Sequence, residues 1–165
     1  MTLDSPINPF NLVSPLELDN PFWAFSLRVW AKPALQARLL TLQRTDDIDI
    51  NLLLFAIWCG TQAKQLPADM SAIKRTATQW QQHIKPLRSV RLALAQNPSA
   101  QSLKTLAQKA EVLAEQYEQA ALYAHASDLT ASMLALPELL AANLNPLLGT
   151  QTSNELMKLC LNADL

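Results

Sequence analysis

The chain has two glycines, Gly60 and Gly149, in 165 residues, where average usage would supply several times as many. Sandwiches, barrels and parallel sheets need glycine in their turns and phosphate loops, so its scarcity argues against all three. The two cysteines, Cys59 and Cys160, lie far apart, which suits reduced, packed thiols better than a disulfide framework. The longest apolar run, Leu52–Cys59, is far short of the ~20 residues that span a bilayer. There is no basic excess either: 13 Lys and Arg face 14 Asp and Glu, a net charge of −1, which disfavours nucleic acid as the main partner. The start, "MTLDSPINPFNLVSPLELDNP", lacks the basic opening and apolar centre of a signal peptide. These absences describe a cytoplasmic protein with no membrane span.

What is present points to helices. Half the residues are hydrophobic and 16% are charged, a balance suited to a packed core. Ala, Leu and Gln dominate, and all three favour helix. The ten prolines fall mostly between periodic segments. The pattern predicts an all-α, single-domain bundle of about six to seven helices over residues 19–165, preceded by an extended arm at 1–18.

Asn20-Pro21 reads as a helix start, because Asn caps free backbone N–H groups and Pro suits the first turn. The first helix, Pro21–Ala31, places Phe22, Phe25 and Val29 on one stripe and Trp23, Leu27 and Trp30 on the next. A second helix opens at Pro33 and runs to about Arg44, with Leu35, Leu39 and Leu42 inward. The third, Ile50 to about Gln62, is apolar nearly all round and is expected to be the buried centre. From Asp69 an inward set runs Ile73, Ala77, Trp80, Ile84, Leu87, Val90, Leu94, with a kink near Pro86. After a turn at 97–99, for which Ser99 is a plausible cap, a second set runs Leu103, Leu106, Ala110, Leu113, Tyr117, Ala120, Ala124. Two such stripes across a short turn predict a long antiparallel hairpin. Further helices are expected around Pro137–Leu148 and Ser153–Leu161.

No motif names a reaction, and no catalytic residue, metal ligand or cofactor is assigned. Asp46, Asp47 and Asp49 resemble the aspartate-rich magnesium motifs of all-α isoprenoid synthases. Here, however, the carboxylates precede the helix, and no second acidic cluster completes a metal set. Capping explains them more simply: Asp49 as the cap of the third helix, with Asp46 and Asp47 near its positive end. His83 and His125 have no ligand partners at metal spacing. Lys85, Arg88 and Arg91 make the fourth helix basic, while Glu111, Glu115 and Glu118 make the fifth acidic. These six form a candidate interaction surface, although facing edges of one hairpin can equally pair with each other or be solvated. Trp23, Trp58 and Trp80, with Asp49 and Asn51 as polar companions, are candidates for either a pocket wall or ordinary core. Asn51 stands out, since an amide on an apolar helix must be hydrogen-bonded or it is costly.

"NPFWAFSLRVWAKPALQARLLTLQRTDDIDINLLLFAIWCG" (20–60) carries an FW-x-FSL stretch (Phe22, Trp23, Phe25, Ser26, Leu27), a Leu42-Gln43 pair, and Asp49 before Asn51–Phe55 and Trp58. This pattern resembles a family of small proteobacterial conserved hypothetical proteins, a domain of unknown function. It continues through Trp80, Pro86 and Leu87 into "KAEVLAEQYE" (109–118), where the family tends to show paired glutamates; here they are Glu111 and Glu115. The chain departs from the family at Thr45–Ile48, where a glycine is common, and in a longer C-terminal third. The resemblance implies no activity. The leading expectation is a non-enzymatic protein acting through an unknown protein partner or self-association. The alternative is a helical domain holding an apolar or amphipathic small molecule, which requires a cavity of at least ~300 Å³ beside Trp23, Trp58 or Trp80. A metal-dependent enzyme using Asp46, Asp47 and Asp49 is a distant third.

Overall fold

The structure, a computed structural model, describes residues 15–165. Most of the arm expected at 1–18 lies outside the described residues; residues 15–20 form neither helix nor strand. Seven α-helices follow: α1 (Pro21–Trp30), α2 (Pro33–Asp46), α3 (Ile50–Thr61), α4 (Ser71–Leu94), α5 (Gln101–Tyr123), α6 (Leu136–Leu148) and α7 (Thr150–Asn162). Two 3₁₀ turns, Pro98–Ala100 and Ala124–Asp128, flank α5. No strand forms among the described residues, so the fold is all-α, with one isolated antiparallel bridge between Lys64 and Ala131.

The helix boundaries follow local chemistry. Asn20 Oδ1 accepts a hydrogen bond from the Trp23 N–H at 2.9 Å, with Pro21 in the first turn behind it. Asp49 Oδ1 accepts from the Asn51 and Leu52 amides at 2.9 and 3.3 Å and so caps α3. Between these helices α2 ends on Asp47 in the left-handed region, φ 51°, a conformation that Asp tolerates better than most residues. Helix α4 continues through Pro86, which removes one hydrogen bond without ending it. The turn after α4 is held by Asn97 rather than Ser99: the Ser99 N–H donates to Asn97 Oδ1 at 3.0 Å.

Helix α3 is the axis. Every residue from Ile50 to Gly60 is buried; α1, α2, α4, α5 and α6 pack against it, and α7 packs on α2 and α6. Phe22 from α1 lies 5.4 Å from the Phe55 ring and 5.5 Å from Trp58, whose other side meets Tyr123 of α5. Leu35, Leu39 and Leu42 of α2 are buried as the sequence pattern requires. At the far end of α3, α6 crosses closely enough that a Cβ on Gly60 would stand 2.7 Å from Leu140 Cδ2. Asn143 of α6 secures that crossing: its Nδ2 donates to the carbonyls of Ala56 and Lys64, and its Oδ1 accepts from the Leu66 amide. Cys59 and Cys160 are free and buried, and burial pushes both thiols up to about 12.

The long hairpin forms, with α4 packed along α5, but α5 is turned from its expected orientation. Leu103, Leu106 and Leu113, expected inward, are exposed, as is Val90 on α4. The buried positions are Ala107, Glu111 and the run Glu118–Leu122, so of the expected inward set Ala120 is buried as read, while Glu111 and Glu118 take places expected of apolar residues. Small residues let the helices approach, and glutamates meet polar side chains of α4. Trp80 behaves as expected and stacks on Tyr117 with ring centres 5.4 Å apart. His125 is half-buried, its Nε2 2.9 Å from the Thr76 hydroxyl.

Gly60→Ala should therefore lower unfolding stability by about 1–3 kcal/mol, because the new methyl must displace Leu140 in a filled core. Urea unfolding at matched pH checks this; an unchanged midpoint would show that α6 yields freely.

Candidate functional site

The site begins at the cap of α3. Asp49 uses Oδ1 for capping, and its Oδ2 is buried with no N–H or O–H donor. Glu118 on α5, 0% exposed, has its Oε1 in the same condition. The two carboxyl groups interact, and a proton on Glu118 would satisfy both oxygens. Burial, followed by the Asp49 charge and that shared hydrogen bond, pushes the Glu118 carboxyl well above its usual range. Two donors to the other oxygen, Asn51 Nδ2 at 2.6 Å and Gln81 Nε2 at 2.9 Å, act the opposite way without cancelling the rise.

That carboxyl sets the direction of every amide beside it. Asn51 must present Nδ2 to Glu118, so its Oδ1 faces outward and accepts from Gln119 Nε2 at 2.8 Å. Gln119, 2% exposed, is then left with a buried Oε1 that has no partner. One turn earlier on α5, Glu111 and Glu115 meet the arginines of α4. Arg88 donates from Nε to Glu111 and from Nη2 to Glu115, both at 2.8 Å. Arg91 donates from Nε and Nη2 to the same Glu111. Burial raises the Glu111 carboxyl most, but Arg91 and Arg88 together outweigh it and hold the group below its usual value. Glu115 ends above its usual value, through burial first, with Arg88 opposing and the Glu111 and Asp49 charges adding to the rise.

Above these groups lies a cleft of about 320 Å³ between α1, α2, α3, α4 and α5. Its floor carries Asn51, Gln119, Arg88, Glu111 and Glu115; Trp23, Leu27, Trp30, Leu54 and Val112 supply apolar wall and rim. Leu27, Trp30 and Val112 remain 53%, 37% and 43% exposed. Trp30, expected on an inward stripe, therefore stands at the cleft mouth.

The structure brings Trp23, Asn51, Arg88, Arg91, Glu111 and Glu115 to one cleft, with Glu118 hydrogen-bonded to Asn51 behind it and Asp49 lining a neighbouring hollow. Trp58 and Trp80 are core residues elsewhere. Glu111 and Glu118 are buried and so form no part of an exposed acidic face, while Arg88 and Arg91 are turned toward α5. Lys85 is exposed and pairs with Asp47 at 2.6 Å. Asp46 meets the Thr45 hydroxyl at 2.8 Å, so the three aspartates act separately. Among the described residues, no group of three or more His, Cys, Asp or Glu side chains is placed to hold a metal. Sequence reasoning missed Gln81, Gln119 and Val112. The available signal was the Glu–Ala alternation on α5 opposite Gln81, Arg88 and Arg91 on α4.

The family described as "Protein of unknown function (DUF2390)" matches residues 21–122. The chain belongs to this family. No curated protein and no solved structure matches the chain. The DUF2390 match contains every residue lining the cleft as well as Asp49, Gln81 and Glu118, whereas α6 and α7 lie beyond it.

Because native Glu118 holds its proton above the unfolded carboxyl value of ~4.3, the native state binds more protons than the unfolded state in that window. Its contribution is present at low pH and declines as pH rises, by at most ~1.4 kcal/mol per pH unit. Glu118→Gln can donate to Asp49 and still accept from Asn51 and Gln81. It should match wild type near pH 4 and become progressively more stable than wild type toward pH 8 in urea titrations. Glu118→Leu strands three buried polar groups and should cost about 3 kcal/mol or more. A Gln variant whose difference from wild type does not change with pH would refute the proton on Glu118.

Proposed function

We propose that this chain acts by binding, and that its cleft takes a small amphipathic molecule. One observation carries the reading: an open hollow of about 320 Å³ combines exposed apolar residues at its rim with a dense polar floor. The volume lies within the range of small-ligand pockets. The polar groups support binding over catalysis, since Glu111 is occupied by Arg88 and Arg91, and Asp49 by its cap and by Glu118.

A neutral, environment-sensitive dye, N-phenyl-1-naphthylamine, tests this directly. Saturable fluorescence enhancement is expected at one dye per chain. Leu27→Asp combined with Val112→Asp should weaken dye binding about tenfold or more, by placing charge on the apolar wall. Absence of saturable binding, or binding indifferent to both substitutions, would overturn the proposal.

A second reading, self-association, is favoured by Val90, Leu92, Leu103 and Leu106, all exposed near the turn end of the hairpin. It predicts concentration-dependent sedimentation that Leu103→Glu with Leu106→Glu abolishes; a monomer at high concentration disposes of it.

A further inference from the structure

We propose that the head group this cleft selects is a protonated amine, received by Gln119 Oε1 and Glu115. The inference rests on the cleft being a ligand site and specifies the ligand's chemistry.

Gln119 lines the cleft, and its Oε1 is a buried acceptor without a donor. The amide cannot simply be reversed to remove the deficit. Glu118 Oε2 takes a hydrogen bond from Asn51 Nδ2, which leaves Asn51 Oδ1 to be served by Gln119 Nε2. An acceptor is therefore what Gln119 offers, and only a donor complements it. Glu115 is the neighbouring half-buried group: Arg88 occupies its Oε1, and its Oε2 receives no hydrogen bond among the described residues.

Charge points the same way. In the cleft lining Glu111 and Glu115 balance Arg88 and Arg91, and the further carboxylate Asp49 lies close by outside the lining. Lys85 does not restore the balance, because it is engaged with Asp47. The surplus negative charge thus lies outside the lining, on Asp49, whose field reaches Glu115. A carboxylate head would meet the charges of Glu111 and Glu115 and two arginines already engaged. An ammonium would meet an orphan acceptor and the Oε2 of Glu115 that Arg88 leaves open, while Trp23 and Trp30 line the cleft beside its body.

The test uses three probes with one body: 2-phenylethylamine, 2-phenylethanol and 3-phenylpropionate. Each is titrated against the full chain by tryptophan fluorescence and by displacement of N-phenyl-1-naphthylamine. The amine should bind about tenfold tighter than the alcohol, and the acid most weakly. Glu115→Gln should lower amine affinity about tenfold yet leave the alcohol within about twofold, Gln119→Leu should weaken amine and alcohol alike, and retained dye binding verifies that both variants fold. If amine and alcohol displace the dye equally, or the acid is preferred, the head-group inference falls and the cleft reading stands. If none of the probes displaces bound dye, the inference likewise falls. If the dye itself does not bind, both fall.

Discussion

A carboxyl group with no water around it cannot stay charged cheaply, and Glu118 sits where three helices meet. Its burial favours the protonated form and makes its carboxyl the reference for the polar groups nearby. Asp49 thereby joins the start of α3 to the middle of α5, and Gln81 brings in α4. The orientation of Asn51 follows, then that of Gln119, and so the hydrogen-bonding character of the cleft floor. A buried acid thus sets the hydrogen-bonding direction of an open surface two amides away.

The hairpin is joined by polar contacts over much of its length. Arg88 and Arg91 converge on Glu111 and Glu115 where a coiled coil would interdigitate leucines. Partly buried ion pairs seldom add much net stability, but they are directional, and breaking one leaves its partner stranded. Their role here is positional. They hold α5 with its alanines and glutamates inward, which fixes its register along α4 and turns Val112 toward α1.

This arrangement explains what could be read from the sequence. The boundaries of α1, α2 and α3 were legible because Asn20, Pro33 and Asp49 mark them by local chemistry, and α3 announced its burial by lacking a polar side. Asn51 was legible as an anomaly for the same reason. The first two-thirds of the α5 face was not, because periodicity counts leucine as inward and glutamate as outward, and there Leu103, Leu106 and Leu113 are exposed while Glu111 is buried. Nothing local distinguishes Glu118, which is buried, from Glu115, which borders the cleft; that difference arises only from Asp49, distant in sequence. Glutamines offered no contrast at all in a chain so rich in them.

The hairpin is also unevenly anchored. Beyond Ile84, α4 buries no further apolar side chain, and the first ten residues of α5 bury only Ala107. Backbone amides near that turn should exchange with solvent well before those of α3, because local opening there exposes little new apolar surface. Gln108 and Val112, one wall of the cleft, stand on this loosely held half of α5. The cleft is thus bounded on one side by the apolar axis of the molecule and on the other by a segment tied to α4 by the Arg88 and Arg91 ion pairs more than by apolar packing. An occupant bridging the two sides would slow exchange at the distant turn without touching it.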